Sequence, residues 1–159
     1  MGDDTIYSGT VGAAMEGYLM GIPAIAFSQV ERGWTHLDDA ALRAKDLVLA
    51  LMADASLNPA PWLANVNIPN LPKEKLGLNQ LCRLGRRHPA QQAITQQSPR
   101  GETMYWIGSA GAAKDDAHDT DFYVTSQGHV SLTPLQVDLT DHEALPFWRT
   151  SIANWNAQA

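Results

Sequence analysis

The residues best suited to chemistry lie together near the start of the chain, in the stretch Tyr7-Ser8-Gly9-Thr10. Ser8 and Thr10 are good helix N-cap residues, because a hydroxyl can accept a hydrogen bond from an otherwise unpaired backbone N–H group. Gly9 lets a ligand approach the backbone without a side chain in the way. Free N–H groups and hydroxyls at a helix N-terminus suit an anion such as phosphate, but the same residues often serve as caps and nothing more. The pattern therefore leaves a phosphate site and a purely structural cap both open.

Two further charged clusters invite a functional interpretation. Arg86-Arg87-His88 is the densest positive run, and it could meet a phosphate or an acidic partner surface. We favour a structural or interface role for it, because surface charge runs are usually just solvated. The second cluster is acidic, with spacing that matches no Ca²⁺ loop pattern, so we expect an exposed loop. It comprises Asp115, Asp116, His118, Asp119 and Asp121.

Three smaller signals favour structure over catalysis. Cys82 lies in the apolar run 81–84, which is typical of a small buried hydrophobe rather than a nucleophile. Asp38 and Asp39 fall in the predicted first turn of a helix, where acidic side chains complement the helix dipole. Asp138 and His142 are four residues apart, the spacing of one helix face, which favours an ion pair or a cap.

The elements around the first cluster indicate an α/β fold. Residues 10–20 have helical period and are closed by Gly21, and Ile22 to Ser28 form a short apolar run typical of a strand buried on both faces of a parallel sheet. A helix followed by such a strand is the second half of a βαβ unit, so a first strand is expected before residue 1. In such sheets ligands bind beyond the carboxyl ends of the strands, where residues 8–10 would lie.

The rest of the chain gives a coarser pattern of elements. Thr35 is a candidate cap for a second helix that ends at the proline-rich stretch 58–61. The remaining predictions are a strand at 63–68, a further strand within 76–84, a strand or hairpin arm at 103–107, a loop at 108–119, a short helix from 120 to 128, a strand at 129–135 and an amphipathic helix at 144–155.

Composition excludes several classes of function. The 159 residues suit one domain, and a net charge of −6 leaves no basic surface for nucleic acid. No apolar run approaches the length of a membrane span, and residues 1–20 do not have the pattern of a signal peptide. A single cysteine suits a reducing compartment. We therefore expect a cytoplasmic protein with neither a nucleic-acid nor a membrane partner.

Several segments, in collinear order over nearly the whole chain, resemble the SurE family of survival-protein phosphatases, also called 5′/3′-nucleotidases. The segments that carry the resemblance are 7–17 (Tyr-Ser-Gly-Thr-Val-Gly-Ala-Ala-Met-Glu-Gly), 21–28, 65–69 (Asn-Val-Asn-Ile-Pro), 86–89, 105–108, 120–122, 130–135 and 137–140. The resemblance implies a Rossmann-like SurE fold, with a partial parallel sheet, helices, an extended β-hairpin arm and a C-terminal helix. It implies one domain over 1–159, divided into an α/β core part (1–70), an arm region (71–128) and a terminal strand and helix (129–159).

The resemblance also implies a site that is only partly contained in this chain. Family members bind a divalent metal, Mg or Mn, through an Asn-Asp-Asp-Gly strand end, a serine and a loop asparagine, and these segments are absent here. Asp3-Asp4 match the family's Gly-Asp-Asp before Tyr-Ser-Gly-Thr, not its metal-binding pair. Met1 is accordingly expected to be an interior methionine or an internal start. No metal ligand is assigned, and the expected phosphate-binding residues are Ser8, Gly9 and Thr10.

By the same resemblance, the expected activity is metal-dependent hydrolysis of nucleoside monophosphates or other phosphomonoesters. The chain alone is expected to be inactive or nearly so, because metal-assisted hydrolysis needs the ion both to polarise the phosphoryl oxygens and to activate water. The alternative is a non-catalytic assembly module. In either case a homo-oligomer, a dimer or a tetramer, is the expected state.

Overall fold

The chain alternates helices and strands in its first half and forms mainly strands in its second. The computed structural model describes residues 1–31, 33–54, 56, 60–87, 92–108 and 111–157. In chain order the elements are α1 (Gly9–Leu19), β1 (Ala24–Gln29), α2 (Leu37–Ala53), β2 (Leu63–Ile68), β3 (Asn79–Leu81), β4 (Arg86–Arg87), β5 (Ile94–Gln97), β6 (Thr103–Trp106), β7 (Ala113–Asp115), α3 (Asp121–Ser126), β8 (Val130–Pro134) and α4 (Leu145–Asn156). Segments of 3-10 helix lie at Gly2–Tyr7 and Lys73–Lys75.

A four-stranded sheet with the order β1-β2-β8-β3 forms the centre of the fold. β1 and β2 are parallel, with Ala24 opposite Leu63, whereas β8 is antiparallel to β2 and parallel to β3. The predicted α/β class is confirmed. The sheet is nevertheless mixed, because β8 enters it in the reverse direction.

The two long helices pack on opposite faces of this sheet. Val66 and Ile68 of β2 belong to a core cluster with residues of α2, whereas Leu63 joins Val11 and Ala14 of α1 in a second cluster. All six residues of β2 are buried. In β1 only Ala26 is fully buried. The sequence had predicted that β1 is buried on both faces, but the strand with that property is β2. Within the described residues β1 pairs with β2 alone, and this edge position leaves it less covered.

The starts of the first two helices differ from the predicted caps. Ser8 is the N-cap of α1, but Thr10 is already the second helical residue, because the helix begins at Gly9. Thr35 does not cap α2; its hydroxyl lies 3.4 Å from Asn70 Oδ1, and His36 occupies the N-cap position without a side-chain capping bond. Gly21 follows α1 with φ of +80°, a left-handed conformation that favours glycine and agrees with its predicted role at the helix end.

The predicted arm is present as two antiparallel pairs, β4 with β7 and β5 with β6. Every residue of β5 and β6 is exposed. β7 lies within the stretch 108–119 that was predicted to be a loop. β3 joins the main sheet and α3 packs beside β8, so the paired arm strands lie between 86 and 115 and do not extend over all of 71–128.

The end of the chain follows the predicted pattern more closely. Thr120 caps α3 by accepting a hydrogen bond from Tyr123 N, and β8 occupies the predicted strand. His142 Nε2 lies 2.8 Å from Asp138 Oδ2, so the two predicted partners are in hydrogen-bond contact, although this segment is not helical. α4 is present, but none of its residues is buried. No helix in the described ranges is long and apolar enough to cross a membrane.

Candidate phosphate-binding site

A cleft of about 410 Å³ opens at the N-terminus of α1. Ser8, before α1, and Ser28, near the carboxyl end of β1, both line it, so the cleft lies where α/β sheets usually bind ligands. Its lining residues come from the first 3-10 segment, α1, β1, β2 and β4: Met1, Asp4, Thr5, Tyr7, Ser8, Val11, Ser28, Asn65 and Arg87.

The cap of α1 leaves two backbone donors available. Ser8 has extended geometry, with φ of −80° and ψ of 120°, and its Oγ accepts a hydrogen bond from Val11 N at 3.2 Å. Its carbonyl accepts from Gly12 N at 2.9 Å. Among the described residues, the N–H groups of Gly9 and Thr10 have no acceptor. Both residues are exposed, and a Cβ built at Gly9 would meet nothing within 4 Å, so an anion has room to reach them.

Of the predicted phosphate ligands, only Ser8 is a lining residue of the cleft. Gly9 and Thr10 follow it as the first residues of α1, so their free amides lie next to the cleft rather than on its wall. The three predicted residues are thus brought together at one helix end. Ser8 fixes that end, and the other two supply unpaired N–H donors.

A buried carboxylate holds the neighbouring 3-10 segment in place. Asp121 is fully buried; Gly2 N donates to its Oδ2 at 2.6 Å and Gly85 N donates to its Oδ1 at 2.9 Å. The expectation that Asp121 belongs to an exposed acidic loop was therefore wrong. Gly2 is 119 positions from Asp121 in the chain and Gly85 is 36 positions from it, so no local spacing could have indicated these hydrogen bonds.

One cation lies on the wall of the cleft. Arg87 Nη2 lies 2.7 Å from Asp4 Oδ1, and Arg87 N donates to Asp3 Oδ1 at 3.2 Å. This ion pair agrees with the favoured structural role of the basic run, and Arg87 also lines the same cleft as Ser8. Arg86 is exposed, and His88 lies outside the described residues.

A further polar residue of the cleft, Asn65, was not among the predicted site residues. Only 2% of its surface is exposed, and its Nδ2 has no hydrogen-bond partner among the described residues. The neighbouring Asn67 is equally buried, but its Nδ2 donates to Ser131 Oγ at 2.9 Å. The only available signal was a polar residue at a core position of a buried strand.

The acidic cluster forms ion pairs rather than a metal site. Arg83 lies 2.6 Å from Asp115 Oδ2 and 2.8 Å from Asp119 Oδ2. The hydrogen bond from Arg83 holds the pKa of Asp115 below its ordinary value. Within the described ranges, no group of three or more His, Cys, Asp or Glu side chains could hold a metal ion.

Cys82 is buried, as predicted from its apolar surroundings. Burial raises the pKa of its thiol, while a hydrogen-bond contact of 3.3 Å with Thr133 Oγ1 acts in the opposite direction. A buried thiol that keeps its proton is a poor nucleophile. The interpretation of Cys82 as a small core residue therefore stands.

The sheet, the flanking helices and the polar cleft at a helix N-terminus define an α/β protein of Rossmann-like type. The chain belongs to the SurE family: a model described as "Survival protein SurE" matches residues 1–91. A solved structure supports the same fold. The SurE protein from Aquifex aeolicus aligns with a TM-score of 0.76 and 34% identity, covering 92% of this chain and 58% of that one.

The curated relatives that match the chain are named for an enzymatic activity. The chain is 63% identical over 153 residues to the 5′-nucleotidase SurE of Albidiferax ferrireducens, in a match covering 96% of this chain and 60% of the relative. It is 63% identical over 160 residues to the 5′-nucleotidase SurE of a Polaromonas species, covering 96% and 61%. The chain thus spans about three-fifths of the length of the curated relatives it matches. The family is one of hydrolases.

Proposed function

We propose that this chain carries the phosphate-binding half of a phosphatase site that acts on nucleoside monophosphates or related phosphomonoesters. The observation behind the proposal is the pair of unpaired N–H groups at Gly9 and Thr10, next to a cleft that is open to a ligand. Such donors, together with the positive end of the helix dipole, favour a dianion. The names of the curated relatives give the substrate class.

In this proposal the chain's own residues bind and orient the phosphate. The N–H groups of Gly9 and Thr10 donate to its oxygens, while Ser8 keeps the helix end in the conformation that exposes them. Arg87 adds positive charge, but Asp4 already neutralises much of it. Phosphoryl transfer depends mainly on such positioning and charge stabilisation.

We further propose that the chain alone binds phosphomonoesters but hydrolyses them poorly. The family resemblance implies Mg or Mn, and within the described ranges no three His, Cys, Asp or Glu side chains are grouped to hold such an ion. The carboxylate of Asp4, which lines the cleft, is paired with Arg87 and is a weak candidate for activating water. The cleft therefore offers hydrogen-bond donors for the phosphate but no free carboxylate of Asp4 to take a proton from the attacking water.

Turnover of p-nitrophenyl phosphate with added Mn²⁺, measured beside AMP binding by calorimetry, tests this function. We expect AMP binding with negligible hydrolysis. Robust hydrolysis would contradict the proposed division of the site, and absence of AMP binding would contradict the phosphate site itself.

One observation favours a second, non-catalytic function in assembly. α4 has no buried residue, and its apolar side chains are largely exposed, namely Leu145, Phe147, Trp148, Ile152 and Trp155. Aromatic side chains in such numbers are typical of interface cores. If this function holds, light scattering after size exclusion will give the mass of a homodimer or homotetramer; a stable monomer with an intact fold would contradict it.

A further inference from the structure

We propose that Asn65 contacts the substrate, donating a hydrogen bond from Nδ2 to the phosphate group held at the N-terminus of α1. The inference rests on the proposed function and adds to it a residue of β2 that lines the same cleft. Nothing in the local sequence around residues 8–10 points to Asn65, which lies 55 or more positions further along the chain.

The first argument is the unpaired amide. Buried side-chain donors nearly always have a partner, because removing an amide from water without replacing its hydrogen bonds is costly. Asn65 is 2% exposed, and its Nδ2 has no partner among the described residues. Asn65 lines a cleft, and its Nδ2 has no partner in the described protein. It is therefore suited to donate a hydrogen bond to a ligand bound in that cleft.

The second argument is where the side chain lies. Successive residues of a strand face opposite sides of the sheet, so Leu63, Asn65 and Asn67 share one face. Leu63 packs with residues of α1, which identifies this face as the α1 side. Asn65 therefore lies beneath α1, and it lines the same cleft as Ser8 and Ser28.

Asn67 shows what a purely structural asparagine looks like on the same face. It is 1% exposed, and its Nδ2 donates to Ser131 Oγ on the adjacent strand β8. Both residues are asparagines of β2, and both are almost fully buried. They differ in that Asn67 has a protein partner and does not line the cleft.

The chemistry of an amide fits a binding role. Asn65 is neutral near physiological pH and cannot exchange a proton with the substrate, so it acts as a fixed donor rather than as an acid or a base. Phosphate oxygens are strong acceptors, and hydrogen bonds to charged groups are stronger than those between neutral groups. Donors from α1 and from β2 would together clamp the phosphate from two sides.

The test compares Asn65→Ala with Asn67→Ala in the full chain, using inorganic phosphate as the probe. Phosphate affinity is measured by calorimetry, and the thermal midpoint is measured without phosphate. We expect Asn65→Ala to weaken phosphate binding about 10-fold to 100-fold, the range for one hydrogen bond to a charged group, with little change in the midpoint. Asn67→Ala should lower the midpoint, because it leaves the Ser131 hydroxyl unpaired, while the folded protein keeps its phosphate affinity.

Two further variants separate the possible failures. Asn65→Asp keeps the shape of the side chain and replaces the donor with a negative charge, so it should abolish phosphate binding. Ser8→Asp should also abolish it, because the new carboxylate keeps the cap but repels the anion at the helix end. If Ser8→Asp abolishes binding while both Asn65 variants bind phosphate normally, the phosphate site stands and the role of Asn65 is overturned. A loss of thermal stability in Asn65→Ala as large as that in Asn67→Ala would also overturn it. If the unmodified chain binds no phosphate, both proposals fail.

Discussion

Ser8 separates the structural and the binding roles of the helix end. Its side chain caps α1 through Val11 N, and the amides of the next two residues remain for a ligand. Because the cap uses only an oxygen acceptor, a carboxylate can perform it equally well. The same carboxylate would bring a negative charge into the anion site.

Ser8→Asp should therefore leave the stability of the chain nearly unchanged, within about 0.5 kcal/mol, since Ser and Asp are comparable caps. It should abolish phosphate binding through charge repulsion. Urea unfolding and phosphate calorimetry on the same preparation measure the two effects. As the matched control, Ser8→Ala should cost about 1 kcal/mol of stability through loss of the cap. Equal phosphate affinity in the native and Ser8→Asp proteins would show that the anion binds elsewhere.

Asp121 is the residue whose removal should disturb the site most without touching a ligand. Its carboxylate accepts from Gly2 N and Gly85 N and so ties the 3-10 segment to the start of the arm. Asp121→Asn turns one acceptor into a donor that faces an N–H group. We expect a loss of about 1–3 kcal/mol in the free energy of unfolding. Asp116→Asn, at an exposed position of the same acidic stretch, is the control and should have no measurable effect; equal stability of the two variants would refute the account.

Asp138 should titrate at unusually low pH. The hydrogen bond from His142, followed by that from Thr140 N, lowers the pKa of Asp138 from 3.8 to about 2. Because the pKa of Asp138 is lower in the folded than in the unfolded state, its ionised carboxylate stabilises the folded chain. This contribution is fully present above pH 3.8 and is lost as the pH falls towards 2. A carbon-NMR titration of the carboxylate should show the pKa moving upward in His142→Ala. The pKa should stay in place in His118→Ala, a change at a histidine that contacts Tyr123 instead; an unmoved pKa in His142→Ala would contradict the assignment.

At the scale of elements, two glycines should respond in opposite directions to the same substitution. Gly12 lies inside α1, where a Cβ would meet nothing within 4 Å, so Gly12→Ala should stabilise the chain by about 1 kcal/mol. A Cβ at Gly85 would lie 2.5 Å from the Asp115 carbonyl oxygen and 2.6 Å from the Phe122 ring. Gly85→Ala should destabilise by about 1–3 kcal/mol through overpacking. Thermal or urea unfolding measures both, and a shared sign would show that the arm is not packed as described.

Local signals were sufficient to predict several elements. The apolar period, the cap at Ser8 and the glycine at position 21 bounded α1 to within a residue, and β2, α3 and β8 followed from similar patterns. The reversed direction of β8 could not be predicted from a single strand, because it depends on which strands pair. The hydrogen-bond partners of Asp121 and the unpaired amide of Asn65 could not be predicted either, because both depend on contacts between distant segments.

At the scale of the molecule, family membership and the local site give different kinds of information. The resemblance to the SurE family supplied the fold and the class of reaction, and the family match bears out that membership. The geometry adds that Ser8 lines a cleft with the buried Asn65 and the ion-paired Arg87, and that Gly9 and Thr10 lie next to this cleft.

The most direct test of the central claim is a proton–nitrogen NMR titration of the chain with inorganic phosphate. If the start of α1 binds the anion, the amide signals of Gly9 and Thr10 should shift first and furthest, because their protons would form the new hydrogen bonds. Signals of the arm strands β5 and β6, which do not line the cleft, should stay in place. Saturating phosphate that leaves the two amide signals unmoved, or that shifts a different surface instead, would contradict the claim.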